Sequence, residues 1–318
     1  QALNLRSQAA GILTRGIRIT GKDAADSLNA AGFQSLGDLA FETGDLEAAD
    51  SAYTNSETAL EANDLQARAA LLVRQIKLAV ASTDPAQTRD YYKAYQGLLL
   101  QLRGDTSLAR MNLNVAASLM ASGEPTWAPV ITLLIEQSAM IGAADAQLMS
   151  EVEQMRGQVA ALSGQPDAAL KMRRRALAGL GADAPPAQTY RLYWQIGKLQ
   201  AQAGEMDAAL TNYERAIANL DRIRGELLQG STLVFTERVL PVYQGYIELL
   251  LEKAEVPGQE SKWLGQVQET LEGLNAAEIL DYFDDNCVLP RDVMSLSNTA
   301  AGTAVLYPIT LGTRPVLL

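Results

Sequence analysis

Histidine is absent from this chain, and cysteine occurs once, at Cys287. Without an imidazole, the side chain that ordinarily titrates near neutrality is missing. Cys–His and Ser–His nucleophilic pairs and His-ligated zinc are therefore excluded. A lone cysteine forms no intrachain disulfide. Cations are the minority: Lys and Arg number 26 against 37 Asp and Glu, leaving a net charge of −11. That balance suits a soluble protein and disfavours broad nucleic-acid binding. No apolar run approaches the roughly 20 residues of a membrane-spanning helix. Aromatics are 6% of the 318 residues, and β-branched residues are sparse until the tail. What is present is alanine and leucine, the best helix formers, within a hydrophobic content of 48%. Composition thus points to helices, and no nucleic-acid partner, membrane span or cofactor is expected.

The helices recur. In Ala30–Asn63 a large residue, Phe33, is followed by the pair Leu36-Gly37, a turn glycine at Gly44, a small residue at Ala49 and an aromatic at Tyr53. From Tyr190 the order returns as Gly197, Gly204, Ala209, Tyr213 and Ala216. A third copy holds Gly157, Gly164, Ala169, Ala176 and Leu177, and a fainter one Ala116, Gly123 and Ala128. Turn positions fall at Gly44, Thr83, Gly123, Gly164 and Gly204, near forty residues apart. This order matches the tetratricopeptide repeat (TPR) template, with about six residues more than its ~34. Two helices crossing tightly need small residues where they touch, and an aromatic fills the gap toward the next repeat.

The expected fold is all-α: a TPR-like right-handed superhelix of about six helix pairs, ending in a short β segment. Five pairs are expected over 24–62, 64–102, 105–141, 144–180 and 187–226, and a sixth over 231–253 and 259–275. A helix over 1–20 would precede them. The breakers are Asn-Asp, Arg-Gly-Asp, Gly-Ala-Ala-Asp and Gly-Ala-Asp-Ala-Pro-Pro.

The last hundred residues carry a second resemblance. Leu220–Leu228, Phe235–Tyr243 and Tyr246–Leu251 resemble the helical hairpin that precedes the protease in bacterial TPR–CHAT proteins. Ala277-Glu-Ile-Leu-Asp-Tyr-Phe283 resembles the connector helix of that family, and Val305-Leu-Tyr-Pro-Ile309 its first core strand. The resemblance divides the chain into a repeat array (1–228), a terminal hairpin and connector (229–285), and a linker with the first CHAT strands (286–318). It implies a caspase-like cysteine peptidase downstream. This chain has no counterpart of that family's His, and Cys287 precedes the first strand, so the chain itself is expected to be non-catalytic. Two alternatives stand beside this: one chain of a processed peptidase whose dyad lies on a second chain, or a plain TPR adaptor. Alone, Val305–Leu311 and Pro315–Leu318 would be an exposed, sticky hairpin, expected to pair with another chain, to fold against the helical array, or to be mobile.

Partner-binding residues are expected on the first (A) helix of each repeat, which lines the concave face of such arrays. Arg191, Trp194 and Lys198 take positions two, five and nine of the best repeat, and Arg74, Lys77 and Asn114 are analogous in earlier ones. Cations beside an aromatic suit an acidic or extended peptide. Lys171, Arg173, Arg174 and Arg175 are expected to be a solvated outer face. Glu278, Asp281, Asp284 and Asp285 share a helix face but are read as a solvated helix end, with no metal. Tyr91, Tyr92 and Tyr95 are expected to pack between repeats.

Overall fold

The computed structural model describes residues 11, 26–181, 183–227, 235–283, 308–311 and 314–317. The expected helix over 1–20, and Cys287, Asp284 and Asp285, lie outside the described residues. Twelve α-helices are present among them: α1 (Asp26–Glu42), α2 (Leu46–Ala59), α3 (Leu65–Ala81), α4 (Pro85–Leu99), α5 (Thr106–Ala121), α6 (Ala128–Ile141), α7 (Ala146–Leu162), α8 (Pro166–Leu180), α9 (Pro186–Gln202), α10 (Met206–Leu227), α11 (Leu240–Ala254) and α12 (Glu260–Phe283). The fold is all-α with helices packed in adjacent pairs, as expected from the repeats. At the C-terminal end, β1 (Pro308–Leu311) pairs antiparallel with β2 (Arg314–Leu317), in a register that sets Ile309 opposite Val316. The strand segment thus forms a hairpin with itself.

Two compact units divide the chain, Gln1–Ser163 and Gly164–Leu318. In the first, α1 packs on α2, α3 on α4, and α5 on α6, while α3, α5 and α7 succeed one another. Its main core joins Ile76, Tyr95, Val115, Leu119, Leu134 and Leu148. The buried Tyr95 hydroxyl donates to Asn112 Oδ1 at 2.7 Å, tying α4 to α5. Tyr92 is buried and meets Trp127 edge-on at 5.3 Å, so the tyrosine cluster packs between repeats as expected. In the second unit one core runs from Tyr190 and Tyr213 through Tyr243, Ile247 and Leu250 to Val267 and Leu271.

The helices begin where their sequences provide a cap. Asp45, Asp64, Asp84, Asp105 and Asp145 each accept a hydrogen bond from a backbone N–H in the first turn of α2, α3, α4, α5 and α7. Each cap satisfies a donor that the helix itself cannot, and the negative charge sits at the favourable end of the dipole. The breakers ending in Asp are therefore also start signals. Proline opens α4, α8 and α9, where its missing N–H costs nothing.

All five expected turn positions have positive φ: Gly44 at 81°, Thr83 at 54°, Gly123 at 69°, Gly164 at 69° and Gly204 at 77°. Only Thr83 does this with a side chain. The repeat's small positions are small because rings lie on them. A methyl at Gly37 would collide with the Tyr53 ring, and one at Gly197 would stand 2.8 Å from a Tyr213 ring carbon. The Tyr213 ring also covers Gly245 of α11, so one aromatic closes its own repeat and seats the next helix.

Three expectations need correction. Ala128 is exposed rather than packed. A 3₁₀ turn at Pro125–Trp127 delays the helix, and Trp127 and Ile131 fill the core instead. The Ala277–Phe283 segment is no separate helix: α12 runs unbroken from Glu260 through Gly265 and Gly273 into it. Arg173 is not on a solvated face. It is 8% exposed, and burial lowers its pKa to about 10, while Lys171, Arg174 and Arg175 around it are exposed.

Two glycines should respond to alanine with opposite signs. Gly197→Ala forces the Tyr213 ring aside and should lower the urea unfolding free energy by about 1–2 kcal/mol, overpacking outweighing the gain in helix propensity. Gly97→Ala, on the exposed face of α4 with nothing near its missing Cβ, should raise it by about 0.5–1 kcal/mol. At the strained turn, Thr83→Gly should raise stability by up to about 1 kcal/mol, visible as a higher melting temperature.

Candidate functional site

In the first unit the A helices α1, α3 and α5 line a cleft of about 410 Å³. Each helix contributes residues three or four apart, which fall on one face. Asp38, Phe41 and Glu42 come from α1, Val73, Arg74 and Lys77 from α3, and Asn114, Ala117 and Ser118 from α5. Three residues expected from sequence to bind a partner, Arg74, Lys77 and Asn114, thus share one cleft.

Their roles differ. Arg74 is committed within the chain: its Nε lies 2.9 and 3.0 Å from the two Asp38 oxygens, and one terminal nitrogen donates to the Ala70 carbonyl at 3.0 Å. The Tyr53 hydroxyl donates to the same Asp38 at 2.8 Å. Burial, then the bond to Asp38, raises the Tyr53 pKa well above the ordinary phenol value. Lys77 is exposed, with its ammonium 4.2 Å from the centroid of the Phe41 ring. Among the described residues it forms no ion pair, so its charge faces the cleft unneutralised. Asn114 is exposed beside it, and the Ser118 hydroxyl donates to the Asn114 carbonyl at 3.0 Å. The cleft therefore offers an ammonium, an amide, a carboxylate at Glu42 and an apolar floor at Phe41 and Val73.

The second expected group lies in the second unit, on α9. Arg191 and Lys198 are exposed and Trp194 is half-buried. Lys198 Nζ is 5.2 Å from the Trp194 ring centroid, and Arg191 turns onto its neighbour, its Nε donating to the Tyr190 hydroxyl at 3.1 Å. Spacings of three and four put the three residues on one helix face. Behind them burial pushes Tyr213 up to about 12, the Trp194 indole N–H opposing the shift.

Sequence reasoning missed a second cleft, of about 510 Å³, in the second unit. Glu214 and Asp221 of α10, Tyr243 and Tyr246 of α11, and Gln266 and Glu269 of α12 line it. The signal was present in the seven-residue step from Glu214 to Asp221, two turns apart on one face of α10. Only the fold brings Glu269 to them. No group of three or more His, Cys, Asp or Glu suited to a metal ion occurs among the described residues. No helix among them is long and apolar enough to cross a membrane.

No protein-family model and no curated protein matches the sequence. Solved structures do resemble the fold. BtubC (BKLC) from P. vanneervenii superposes with a TM-score of 0.56 at 18% identity, covering 71% of this chain and 93% of that one. Two structures of MamA give TM-scores of 0.40 at 16% and 18% identity, covering 61% and 59% of this chain and 93% and 95% of theirs. These neighbours are TPR-like helical repeat proteins, and the class this chain falls into by fold is a TPR-like repeat protein.

Asp38 should prove to be the polar pin of the A-helix cleft. Asp38→Ala leaves both the Arg74 guanidinium and the buried Tyr53 hydroxyl without their acceptor, and should cost about 1–2 kcal/mol in chemical denaturation. Asp38→Asn keeps an acceptor oxygen and should recover about half of that loss.

Proposed function

We propose that this chain is a non-catalytic protein-interaction scaffold whose A-helix face receives an extended segment of a protein partner. The convergence of Arg74, Lys77 and Asn114 in one cleft, from two helices forty residues apart in sequence, carries this reading. Arg74 keeps the walls in place through Asp38, while Lys77 and Asn114 meet the ligand. Arg191, Trp194 and Lys198 form a further contact row on α9. An extended peptide presents carbonyls, which an ammonium and an amide can bind without reading one sequence.

The scaffold acts as the sensing or recruiting arm of a caspase-like CHAT peptidase. The resemblance over about 219–318 supports this, and so does a hairpin, β1–β2, following the last helix. The repeat array (1–228) would hold the partner, the hairpin and connector (229–285) would transmit the event, and 286–318 would enter the peptidase. Catalysis would lie in residues beyond this chain, which has no histidine of its own.

Affinity capture with this chain as bait, read by quantitative mass spectrometry, tests the surface. Arg74→Ala/Lys77→Ala/Asn114→Ala and Arg191→Ala/Trp194→Ala/Lys198→Ala should each reduce the captured partner at least tenfold, with helical content retained. Unchanged capture rejects the surface. The coding sequence past Leu318 tests the link: it should supply a His and a Cys at the ends of parallel strands. A stop codon there would overturn the peptidase role and leave an adaptor.

A further inference from the structure

Charge is spread unevenly along this chain. Between Gly157 and Gly204 stand six cations and two carboxylates, although the whole carries −11. Four of those cations lie on α8, the second (B) helix of its pair. The other two, Arg191 and Lys198, lie on α9, an A helix without a single aspartate or glutamate. The outward row of α9 runs Ala187, Arg191, Trp194, Lys198 and Gln202, each three or four residues from the next. Arg191 and Lys198 form no ion pair among the described residues. The first three carboxylates that follow α9 are engaged elsewhere. Glu205 meets Arg174 at 3.7 Å and Gln200 at 3.1 Å, Asp207 meets Lys253 at 2.6 Å, and Glu214 meets Tyr246 at 3.0 Å. A chain rich in acids thus leaves two exposed cations of one row unpaired.

Rings hold both cations without cancelling their charge. Lys198 stands over Trp194. The Arg191 Nε is tied to the Tyr190 hydroxyl, and its two terminal nitrogens have no partner among the described residues. That free end is the planar fork that matches a carboxylate with two bonds. The cleft of the first unit differs, because Glu42 stands there with Lys77.

We propose that the α9 row docks an acidic segment of a protein partner, Arg191 and Lys198 each taking a carboxylate side chain across Trp194. The inference rests on the scaffold reading and supplies the partner's chemistry at this surface. Charge complementarity selects the occupant, since the row offers cations and an aromatic face and no acid. The two cations are seven residues apart, about 10 Å along the helix. In an extended segment alternate residues share a face, about 7 Å apart at i and i+2 and about 13 Å at i and i+4. Long arginine and lysine stems lean far enough to meet either spacing. A nucleic acid, charged at every phosphate, needs broader basic cover than one row on an acidic chain.

A dye-labelled peptide, Gly-Glu-Gly-Glu-Gly-Glu-Gly, is titrated with the full chain at low salt and followed by fluorescence anisotropy. It should bind, and the same peptide with Gln for Glu should bind at least about tenfold more weakly. Arg191→Gln and Lys198→Gln should each weaken binding about five- to tenfold, with circular dichroism unchanged because both residues are exposed. Arg191→Lys keeps the charge without the fork and should recover only part of that loss. Arg89→Gln, the same charge loss on exposed α4, should leave the affinity unchanged. Four results would overturn the proposal: no binding of the glutamate peptide, no loss in Arg191→Gln and Lys198→Gln, equal weakening by Arg89→Gln, or single-stranded poly(U) competing more tightly than unlabelled peptide. The third reduces the row to bulk attraction, and the fourth makes it a nucleic-acid surface. If the peptide fails while partner capture still depends on Arg191, Trp194 and Lys198, the acidic chemistry falls and the scaffold stands.

Discussion

A tyrosine ring lying on a glycine is the contact on which the repeats depend. Tyr53 covers Gly37, and Tyr213 covers Gly197 and Gly245. Helix pairs can cross this closely only where one partner has no side chain. The ring then supplies the apolar area that the glycine gave up. The arrangement fixes three things together: the distance between paired helices, the rotation of each about its axis, and, at Tyr213, the seat of the helix that follows. Once rotation is fixed, the remaining faces have no freedom. Residues at the other phases of the helix then face outward, which is how Trp194 and Lys198, four apart, come to share a face beside Gly197.

That dependence explains which parts of the structure were legible in the sequence. Positive φ, close approach and helix starts each demand a particular residue type at a particular offset, so they leave a periodic trace. Five turn positions and the Asp-terminated breakers could be read for this reason. Thr83 shows that phase outweighs residue type, since the turn forms there against the side chain's preference. Where the phase slips, the reading fails. The 3₁₀ turn before α6 moves the core from Ala128 to Trp127 and Ile131, because a repeat with a bulky aromatic near its turn packs by volume rather than by template position. The long α12 is a different case: Gly273 stands just before the expected boundary, yet the helix continues through it.

The candidate sites were half legible, for a related reason. Arg74 and Asn114 occupy equivalent positions of successive A helices, with Lys77 one turn beyond Arg74, so the repeat predicts their convergence. The carboxylate cleft draws on B helices and on the final pair, where the template is weakest, and its members are equivalent to nothing earlier. Arg173 misled in the opposite direction. A run of four basic residues in five looks like a solvated patch, yet a helix turns 100° per residue, and one of the four must face inward.

The two clefts use a shared device to opposite ends. In each, a tyrosine from a neighbouring helix donates its hydroxyl to a carboxylate and so fixes it. In the first unit Arg74 also grips that carboxylate, and the pair becomes a neutral strut that supports the walls. In the second unit Tyr246 alone grips Glu214, and the charge remains. A neutral donor thus fixes a carboxylate without pairing its charge, where a cation makes it half of a neutral pair. Net charge does not reveal this distinction. Of the acidic surplus, five aspartates serve as helix caps and Asp38 is paired with Arg74. Acidic residues that look alike in the sequence thus serve different ends, decided by the donor that the fold brings to each.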